Sequence, residues 1–434
     1  MEKMIVKGQQ KLSGEVTIGG AKNSTVALIP AAILADTPVK FDSVPDILDV
    51  HNLMLILKAM NVDSTYRRGE LLVDPTKIKS VPLPGGAIRS LRASYYFMGA
   101  LLGKFGEAIV GFPGGDNIGP RPIDPHIKGF KALGAHVEEK ENTVHITTGP
   151  EGLHGARIFF DLVSVGATIN VLLAAVKAKG LTIMENVARE PEIVDLATFL
   201  NNMGAHIRGA GTNEIRVQGV DSLKSMNVHT IIPDRIEAGT YLSFAAANGN
   251  GVLVKNVITE HLDPFLSKLE EMGVEVIDEE KGLRIIGPEK LKPTTIKTLP
   301  HPGFPTDMQP QMSILQLAAD GTSILTETVF ENRFMHLEEL RRMNADFKIE
   351  GNSVILYGPT DFCGAEVAAT DLRAAAALVL AGLVSRGITQ VTHLKYLDRG
   401  YYRFHEKLAS LGAEIKRAND VTNGKFFMNE TEEV

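Results

Sequence analysis

The chain has 434 residues and a mass of 47.0 kDa, which is long for a single hydrophobic core, so its length predicts two domains. Hydrophobic residues make up 44% and charged residues 22%, as in a globular protein, and the net charge of -7 disfavours proteins that coat nucleic acid or anionic membranes. The single cysteine, Cys363, excludes an internal disulfide and a zinc site built from several cysteines.

Common metal, nucleotide and membrane signals are absent from the sequence. The twelve histidines show no HExxH spacing, and neither a GxxxxGK[ST] loop nor a complete GxGxxG occurs, so we expect no metal and no cofactor. Residues 1–20 contain no apolar signal core, and the uncharged apolar run 374–384 is too short to span a bilayer. These features predict a cytoplasmic protein that has neither nucleic acid nor a membrane as its partner.

The first notable stretch is GGAKNS, residues 19–24, which precedes an apolar helical run at 25–34. Lys22 and Asn23 therefore lie at a predicted helix start, where free backbone N–H groups favour anions. The alternative is a capped helix with an exposed lysine.

Further along, Arg89 and Arg92 are three residues apart and share a predicted helix face, where solvated arginines are the favoured alternative. Residues 111–122 then contain four glycines and three prolines, which exclude a regular helix or an inner strand. This stretch carries Asp116 and Arg121. It is either a plain connector or a mobile lid.

A short phrase recurs six times: an apolar residue, then Gly or Asn, a small residue and a polar one. Its copies are spaced by 68 to 73 residues and occupy 60–63, 133–136, 203–206, 272–275, 343–346 and 411–414. Each copy closes a helical pattern and leads into a strand pattern, so the repeat predicts an α/β module of about 70 residues. Six modules divide most simply into three and three, with a boundary near 231–234.

The second half of the chain adds three polar residues at predicted corners. The stretch HPGFPTDM, residues 301–308, presents Asp307, for which capping of the next helix is the alternative. Arg333 and Arg399 each lie between a strand pattern and a helix pattern, where solvated arginines are the alternative. Facing domains would bring together a cationic cleft suited to a small polyanionic substrate, formed by Lys22, Arg92, Arg121, Arg333 and Arg399.

Nine ordered stretches resemble the UDP-N-acetylglucosamine 1-carboxyvinyltransferases of the enolpyruvyl transferase family, and the match runs to about residue 415. They are GGAKNSTVALIPAAIL, LRASYYFMGALL, GPRPIDPHIKGFKALGA, REPEIVDL, PDRIEAGTY, HPGFPTDMQPQ, ETVFENRF, ATDLRAAAALVLAGL and LDRGYYR. The resemblance implies a two-domain inside-out α/β barrel of six βαβαββ repeats, three per domain. One domain would comprise residues 22–232 and the other residues 1–21 and 233–434, with the active site between them.

The resemblance also implies transfer of the enolpyruvyl group of phosphoenolpyruvate to the 3'-hydroxyl of UDP-N-acetylglucosamine, with release of phosphate. It assigns the phosphate of phosphoenolpyruvate to Lys22, Arg121 and Arg399, its carboxylate to Arg333, and the sugar to Asn23 and Asp307. Asp307 would be the base at the 3'-hydroxyl. Other positions resemble substrate contacts of the family: Arg92, Pro122, Ile123, Asp124, Pro125, Ser164, Val165, Gly166, Val329 and Asp371.

Two positions depart from the commonest pattern of the family. Asp116 stands where many members carry a cysteine, at the position that protonates the methylene carbon of phosphoenolpyruvate. A carboxyl group can do this if its pKa, about 3.9 when free, is raised, although a nearby Arg121 would oppose that. Since an acid offers no thiolate to an epoxide, we expect insensitivity to fosfomycin. Leu162 replaces a lysine of some relatives and would weaken a diphosphate contact.

Two other functions fit parts of the sequence. An enolpyruvyl transferase acting on shikimate 3-phosphate is disfavoured by Asn23 beside Lys22 and by the stretch 122–124, which resemble the nucleotide-sugar branch. A non-catalytic clamp of six modules around a polymer is the second alternative, and the negative net charge disfavours a nucleic-acid clamp.

Overall fold

The computed structural model describes residues 2–83, 95–111, 122–140 and 143–419. Within these ranges the chain forms six small sheets and thirteen α-helices, the mixed α/β content predicted from the sequence. No helix of the described part is both long and apolar enough to cross a membrane.

The helices are short and distributed along the whole chain. They are α1 (Lys22–Ala32), α2 (Leu48–Ala59), α3 (Tyr96–Phe105), α4 (Asp124–Ala132), α5 (Val165–Ala175), α6 (Pro191–Asn202), α7 (Arg235–Asn248), α8 (Asp263–Glu271), α9 (Gln309–Ala318), α10 (Met335–Arg341), α11 (Leu372–Val384), α12 (Lys395–Asp398) and α13 (Phe404–Ser410). Two 3-10 turns, Thr259–His261 and Thr306–Met308, precede α8 and α9.

Three sheets draw their strands from residues 39–230. They contain β3 (Val39–Asp42), β4 (Asp63–Arg67), β5 (Glu70–Asp74) and β13 (His229–Thr230); β6 (Glu107–Gly111), β7 (Ala135–Lys140) and β8 (Thr143–Thr148); and β9 (Arg157–Phe159), β10 (Leu181–Glu185), β11 (His206–Arg208) and β12 (Glu214–Gln218).

The other three sheets draw their strands from the second half of the chain, and two of them also include a strand from its start. They contain β2 (Glu15–Thr17), β14 (Asn250–Lys255), β15 (Glu275–Glu279) and β16 (Gly282–Ile286); β17 (Thr295–Lys297), β18 (Thr322–Thr326), β19 (Phe347–Glu350) and β20 (Ser353–Tyr357); and β1 (Glu2–Lys7), β21 (Glu366–Ala368), β22 (Ile388–Thr392) and β23 (Ile415–Asn419).

Four of the six sheets share one connectivity. In these a short strand lies parallel to a longer one, whose other edge pairs with an antiparallel hairpin, as in the order β9, β10, β12, β11. In the sheet of β6, β8 and β7 an isolated parallel bridge from Leu83 to Val110 takes the place of the short strand. The sheet of β21 departs from this because β1, from the other end of the chain, lies between β22 and β23 and is antiparallel to both. Met4 on β1 is opposite Val391 on one side and Arg417 on the other.

The six repeated phrases end helices as predicted. Their Gly or Asn residues all have positive φ angles, with values of 60° at Asn61, 91° at Gly134, 105° at Gly204, 87° at Gly273, 71° at Asn344 and 101° at Gly412. Glycine, which has no β-carbon, and asparagine tolerate this conformation at a helix end. A helix ends just before each one and a strand follows within four residues.

The buried apolar side chains form two clusters. One contains residues between 21 and 231, which we call the first lobe; the other contains residues 4–18 and 236–415, which we call the second lobe. Their limits follow the predicted pairing of the chain start with its second half. The exact domain boundaries stay a prediction.

Two chain segments, residues 18–22 and 231–235, cross side by side between the lobes. The N–H of Ala21 donates to the carbonyl of Ile232 over 2.7 Å, and the N–H of Asp234 donates to that of Gly19 over 2.9 Å. The carboxylate of Asp234 caps α7, and it also accepts the backbone N–H of Lys22 over 3.0 Å. One carboxylate therefore satisfies the first turns of two helices.

Candidate active site

Lys22 is the first residue of α1 and is buried at the junction of the lobes. It is 8% exposed, and its Nζ lies 3.0 Å from Oδ2 of Asp49. Ala21, which precedes the helix, has no capping side chain, so Asp234 supplies that contact from the second lobe. The alternative of a capped helix with an exposed lysine is therefore wrong.

Asn23 follows Lys22 and lies beside a small cavity between the lobes. The cavity is also lined by Glu192 of α6, Arg235 of α7 and His261. Glu192 and Arg235 approach to 3.8 Å across the lobe junction. Asn23 thus lies at the same junction as Lys22, and its contact with the sugar stays a prediction.

Asp49 of α2 joins Lys22 to Arg399. It is fully buried, and its Oδ1 accepts from Nε of Arg399 over 3.1 Å. A residue near the end of the chain therefore contacts the first lobe through Asp49. The sequence analysis missed Asp49, although a signal was present: it shares a helix face with the buried Leu53 and Ile56, and a buried acid requires a cationic or hydrogen-bonding partner.

Asp307 is held between two buried arginines. Its Oδ1 lies 3.0 Å from Nη1 of Arg333 and its Oδ2 lies 3.2 Å from Nη2 of Arg373, and both arginine side chains are only 3% exposed. Asp307 lies in a 3-10 turn and caps no helix. The alternatives of a helix-capping Asp307 and a solvated Arg333 are therefore wrong. Arg373 was missed because α11 reads as a plain apolar helix after its first turn.

The electrostatics of this group point to an anionic ligand. Burial favours the neutral acid, but Arg373 and Arg333 outweigh it and, with Lys22, hold the pKa of Asp307 far below its usual range. Nε of Arg333 and Nη1 of Arg373 are buried without a hydrogen-bond partner among the described residues. Unpaired buried donors of this kind are costly unless a ligand satisfies them, and carboxylates and phosphates suit guanidinium groups.

Two other predicted substrate-binding residues, Asp371 and Val329, form hydrogen bonds within the second lobe. Asp371 is buried and caps α11, where its Oδ1 accepts the N–H groups of Arg373 and Ala374 over 2.9 and 3.0 Å. Val329 is partly exposed, and its N–H donates to the buried carboxylate of Glu327 over 2.8 Å. Asp371 therefore fixes the first turn from which Arg373 reaches Asp307, and any substrate contact of Asp371 and Val329 remains a prediction.

The predicted nucleotide-sugar contacts form a second group on the first lobe. Pro122 and Ile123 precede α4, and Asp124 and Pro125 are its first two residues. Ser164 caps α5, where its Oγ accepts the N–H of Ala167 over 3.2 Å. Val165 and Gly166 follow in the first turn of α5, and the ring of His126 packs against Gly166. The two stretches thus meet through His126. Leu162 beside them is 64% exposed.

Several predicted residues lie outside the described part of the chain: Arg89, Arg92, Asp116 and Arg121. Among the described residues, no cluster of three His, Cys, Asp or Glu side chains could hold a metal ion. The described site therefore consists of two carboxylates, Asp49 and Asp307, which hold four cationic side chains at the lobe junction.

Comparisons with known proteins show the family to which the chain belongs. The sequence model of the family described as EPSP synthase (3-phosphoshikimate 1-carboxyvinyltransferase) matches residues 6–408. The chain is 58% identical over 420 residues to UDP-N-acetylglucosamine 1-carboxyvinyltransferase 2 of Lactiplantibacillus plantarum, covering 97% of this chain and 99% of the relative. It is 56% identical to the protein of that name from Latilactobacillus sakei, covering 97% of this chain and 100% of the relative.

A solved structure agrees with these relatives. The enolpyruvyl transferase NikO from Streptomyces tendae superposes with a TM-score of 0.87 at 26% identity, covering 96% of this chain and 99% of that one. The chain therefore belongs to the enolpyruvyl transferase family, a class of transferases. Within it the chain groups with the UDP-N-acetylglucosamine 1-carboxyvinyltransferases, which confirms the resemblance found in the sequence.

Proposed function

We propose that the protein transfers the enolpyruvyl group of phosphoenolpyruvate to the 3'-hydroxyl of UDP-N-acetylglucosamine and releases phosphate, the first committed step of peptidoglycan precursor synthesis. The observation that carries the proposal is the convergence of Lys22, Arg399, Arg333 and Arg373 around two carboxylates, with buried guanidinium donors left unpaired. A substrate that bears both a phosphate and a carboxylate suits such a site. The names of the relatives support the choice of acceptor sugar.

The cations divide between the two anionic groups of phosphoenolpyruvate. Lys22 and Arg399, already joined through Asp49, would bind its phosphate, together with Arg121 from outside the described residues. Arg333 would bind its carboxylate, and the unpaired Nη1 of Arg373 is available beside it. Asn23 would contact the sugar from the start of α1.

The proposed chemical steps use one carboxyl group as a base and another as an acid. Asp307 would accept the proton of the 3'-hydroxyl as that oxygen bonds to C2 of phosphoenolpyruvate, while Asp116 would donate a proton to the methylene carbon. The tetrahedral intermediate would then lose phosphate with cleavage of its C–O bond and lose a proton from the new methyl group. The cations stabilise the charge that develops on the phosphate.

Substrate binding would activate the base. Without ligand, the two arginines make Asp307 a weak base, because they hold its pKa far below the usual range. A bound carboxylate or phosphate offsets that positive charge and so raises the pKa of Asp307. Proton abstraction would therefore become favourable only after phosphoenolpyruvate has entered.

We also propose the fold details implied by the resemblance: six βαβαββ repeats in two inside-out barrels, with residues 22–232 in one domain and residues 1–21 and 233–434 in the other. Support comes from the strand order that four of the sheets share and from the two separate hydrophobic clusters. The six helix-ending Gly and Asn residues mark equivalent points of the modules.

The test of the function is phosphate release from phosphoenolpyruvate with UDP-N-acetylglucosamine, with shikimate 3-phosphate, and with neither. We expect release only with the nucleotide sugar. Release with shikimate 3-phosphate as the acceptor, but not with the nucleotide sugar, would assign the chain to the other branch of the family. Silence with both acceptors would refute the transferase reaction and favour a binding module.

Asp116 supports a second, separable proposal, which is insensitivity to fosfomycin. A carboxylate provides no thiolate to open the epoxide, so preincubation with fosfomycin should leave the activity unchanged. The Asp116→Cys variant restores a thiol and should become inactivated with time. Potent time-dependent inactivation of the parent protein would refute this proposal without affecting the proposed reaction.

A further inference from the structure

A buried cluster of Ser24, Asp195 and His229 lies in the first lobe and has no role in the proposed reaction. Ser24 Oγ donates to Oδ2 of Asp195 in a close contact, and Nε2 of His229 lies 2.8 Å from Oδ1 of the same carboxylate. All three residues are buried. The aspartate lies between the serine and the histidine, so the imidazole does not face the serine hydroxyl as it does in a serine nucleophile, and the cluster is not a second catalytic site.

The cluster joins three elements that meet where the chain crosses between the lobes. Ser24 is in the first turn of α1, directly after Lys22 and Asn23. His229 is in β13, immediately before the crossing segment 231–235. Asp195 is in α6, which packs along α1. One carboxylate therefore holds the first-lobe ends of both crossing segments.

Beyond the cluster, the crossing segments have little freedom. Gly20 and Pro233 form a bridge between them, and a side chain at Gly20 would collide with the carbonyl oxygen of Ser43. The N–H groups of Ala21 and Asp234 are bonded across the crossing. Because the crossing is tight, a shift at either of its first-lobe ends displaces the start of α1.

We propose that Asp195 is a positioning residue: through Ser24 and His229 it fixes both crossing segments against the first lobe and so sets where Lys22 and Asn23 stand in the cleft. The inference rests on the proposed function only because the kinetic test measures KM for the substrates of that reaction. Its geometric part, the coupling of α1 to β13 through one carboxylate, does not depend on the reaction.

The test uses Ser24→Ala and His229→Phe, each of which removes one arm of the cluster. The phenylalanine keeps a ring against Phe41 and Phe199, which both contact the His229 ring edge-on. Each variant should lower kcat/KM about tenfold, mainly by raising KM for both substrates, because small displacements of binding groups are costly. The double variant should lose less than the product of the two single effects, since both arms act through Asp195.

The matched control is Ser385→Ala. Ser385 is equally buried and donates to the carbonyl of Gly382 over 2.8 Å at the far end of α11, away from the crossing. It should lower the melting temperature about as much as Ser24→Ala while leaving KM within about twofold of the parent. If Ser24→Ala also leaves KM within twofold, the cluster is only structural and the inference is wrong. Should His229→Phe fail to fold, Ser24→Ala and this control decide the matter.

Hydrogen exchange provides a readout that does not need activity. The amides of Ala21 and Lys22 are bonded across the crossing and should exchange faster in Ser24→Ala, but not in Ser385→Ala. A parent protein that shows no sugar-dependent phosphate release would refute the proposed function, and the exchange result would then decide this inference alone. Unchanged exchange in Ser24→Ala would overturn it.

Discussion

Replacing Asp307 by asparagine isolates the charge at the centre of the proposed site. The two oxygens of Asp307 are each bound by a guanidinium, at 3.0 Å from Arg333 and 3.2 Å from Arg373. Asparagine keeps the shape and one acceptor oxygen, but it presents N–H groups to one of the arginines. Two buried cations then lose the carboxylate with which they form ion pairs.

The size of the effect follows from burial. Removing one partner of a buried ion pair costs about 3–5 kcal/mol. The side chain of Asp307 is 27% exposed while those of the arginines are 3% exposed, so the lower end, about 3 kcal/mol, applies. For a cooperative unit of about 200 residues this lowers the melting temperature by roughly 6–12 °C. Loss of the base should lower kcat about 10²- to 10⁴-fold.

The assay is calorimetric melting with and without inorganic phosphate, followed by kinetics. Phosphate should raise the melting temperature of the Asp307→Asn variant more than that of the parent, because an anion replaces the lost charge. Asp361→Asn is the control, since Asp361 and its partner Arg386 are mostly exposed and the pair contributes little. An Asp307→Asn variant with parental kcat and a melting temperature within 2 °C of the parent would refute the reasoning.

Three further predictions concern other buried groups. Asp49→Asn leaves Lys22 and Arg399 without their shared carboxylate, so kcat/KM for phosphoenolpyruvate should fall at least tenfold in steady-state assays; parental kinetics would contradict this. Burial lowers the pKa of His336 to about 3, so the folded protein keeps this ring neutral between pH 7 and 5 while the unfolded chain protonates it. The free energy of unfolding should therefore fall by about 2 kcal/mol over that range, and urea unfolding of His336→Phe should lack this loss. Burial raises the pKa of Glu192 to about 7, so its contribution to the free energy of unfolding is present at low pH and should fall by about 2–3 kcal/mol between pH 5 and 8. Glu192→Gln should abolish that decline. A variant with the same pH profile of urea unfolding as the parent would refute the prediction.

Local chemistry made much of the fold predictable. The Gly and Asn residues that close helices act through their own backbone conformation, and all six have the positive φ angle that a helix stop uses. The pairing of β1 with β22 and β23 has no such local signal, because the partners lie at opposite ends of the chain. For that arrangement the sequence offered only the resemblance to a family.

The site was predictable for residues in marked turns and not for residues inside helices. Lys22, Arg333 and Asp307 stand in stretches with unusual Gly, Pro or Asn content, and the structure brings them to one junction. Asp49 and Arg373 lie inside the first turns of ordinary apolar helices. Helical spacing places Asp49 on the buried face of α2, but the partners that make both residues important lie far away in the sequence and are not encoded locally.

The position of β1 has a consequence for synthesis of the protein on the ribosome. This strand leaves the ribosome long before β22 and β23, which flank it and lie at residues 388–392 and 415–419. At common translation rates the strand waits roughly 20–80 s for its neighbours. Meanwhile the first-lobe core, whose residues all lie between 21 and 231, is complete and free to fold. An unpaired strand with buried residues Met4, Ile5 and Val6 is a site for chaperone binding or misassociation during that interval.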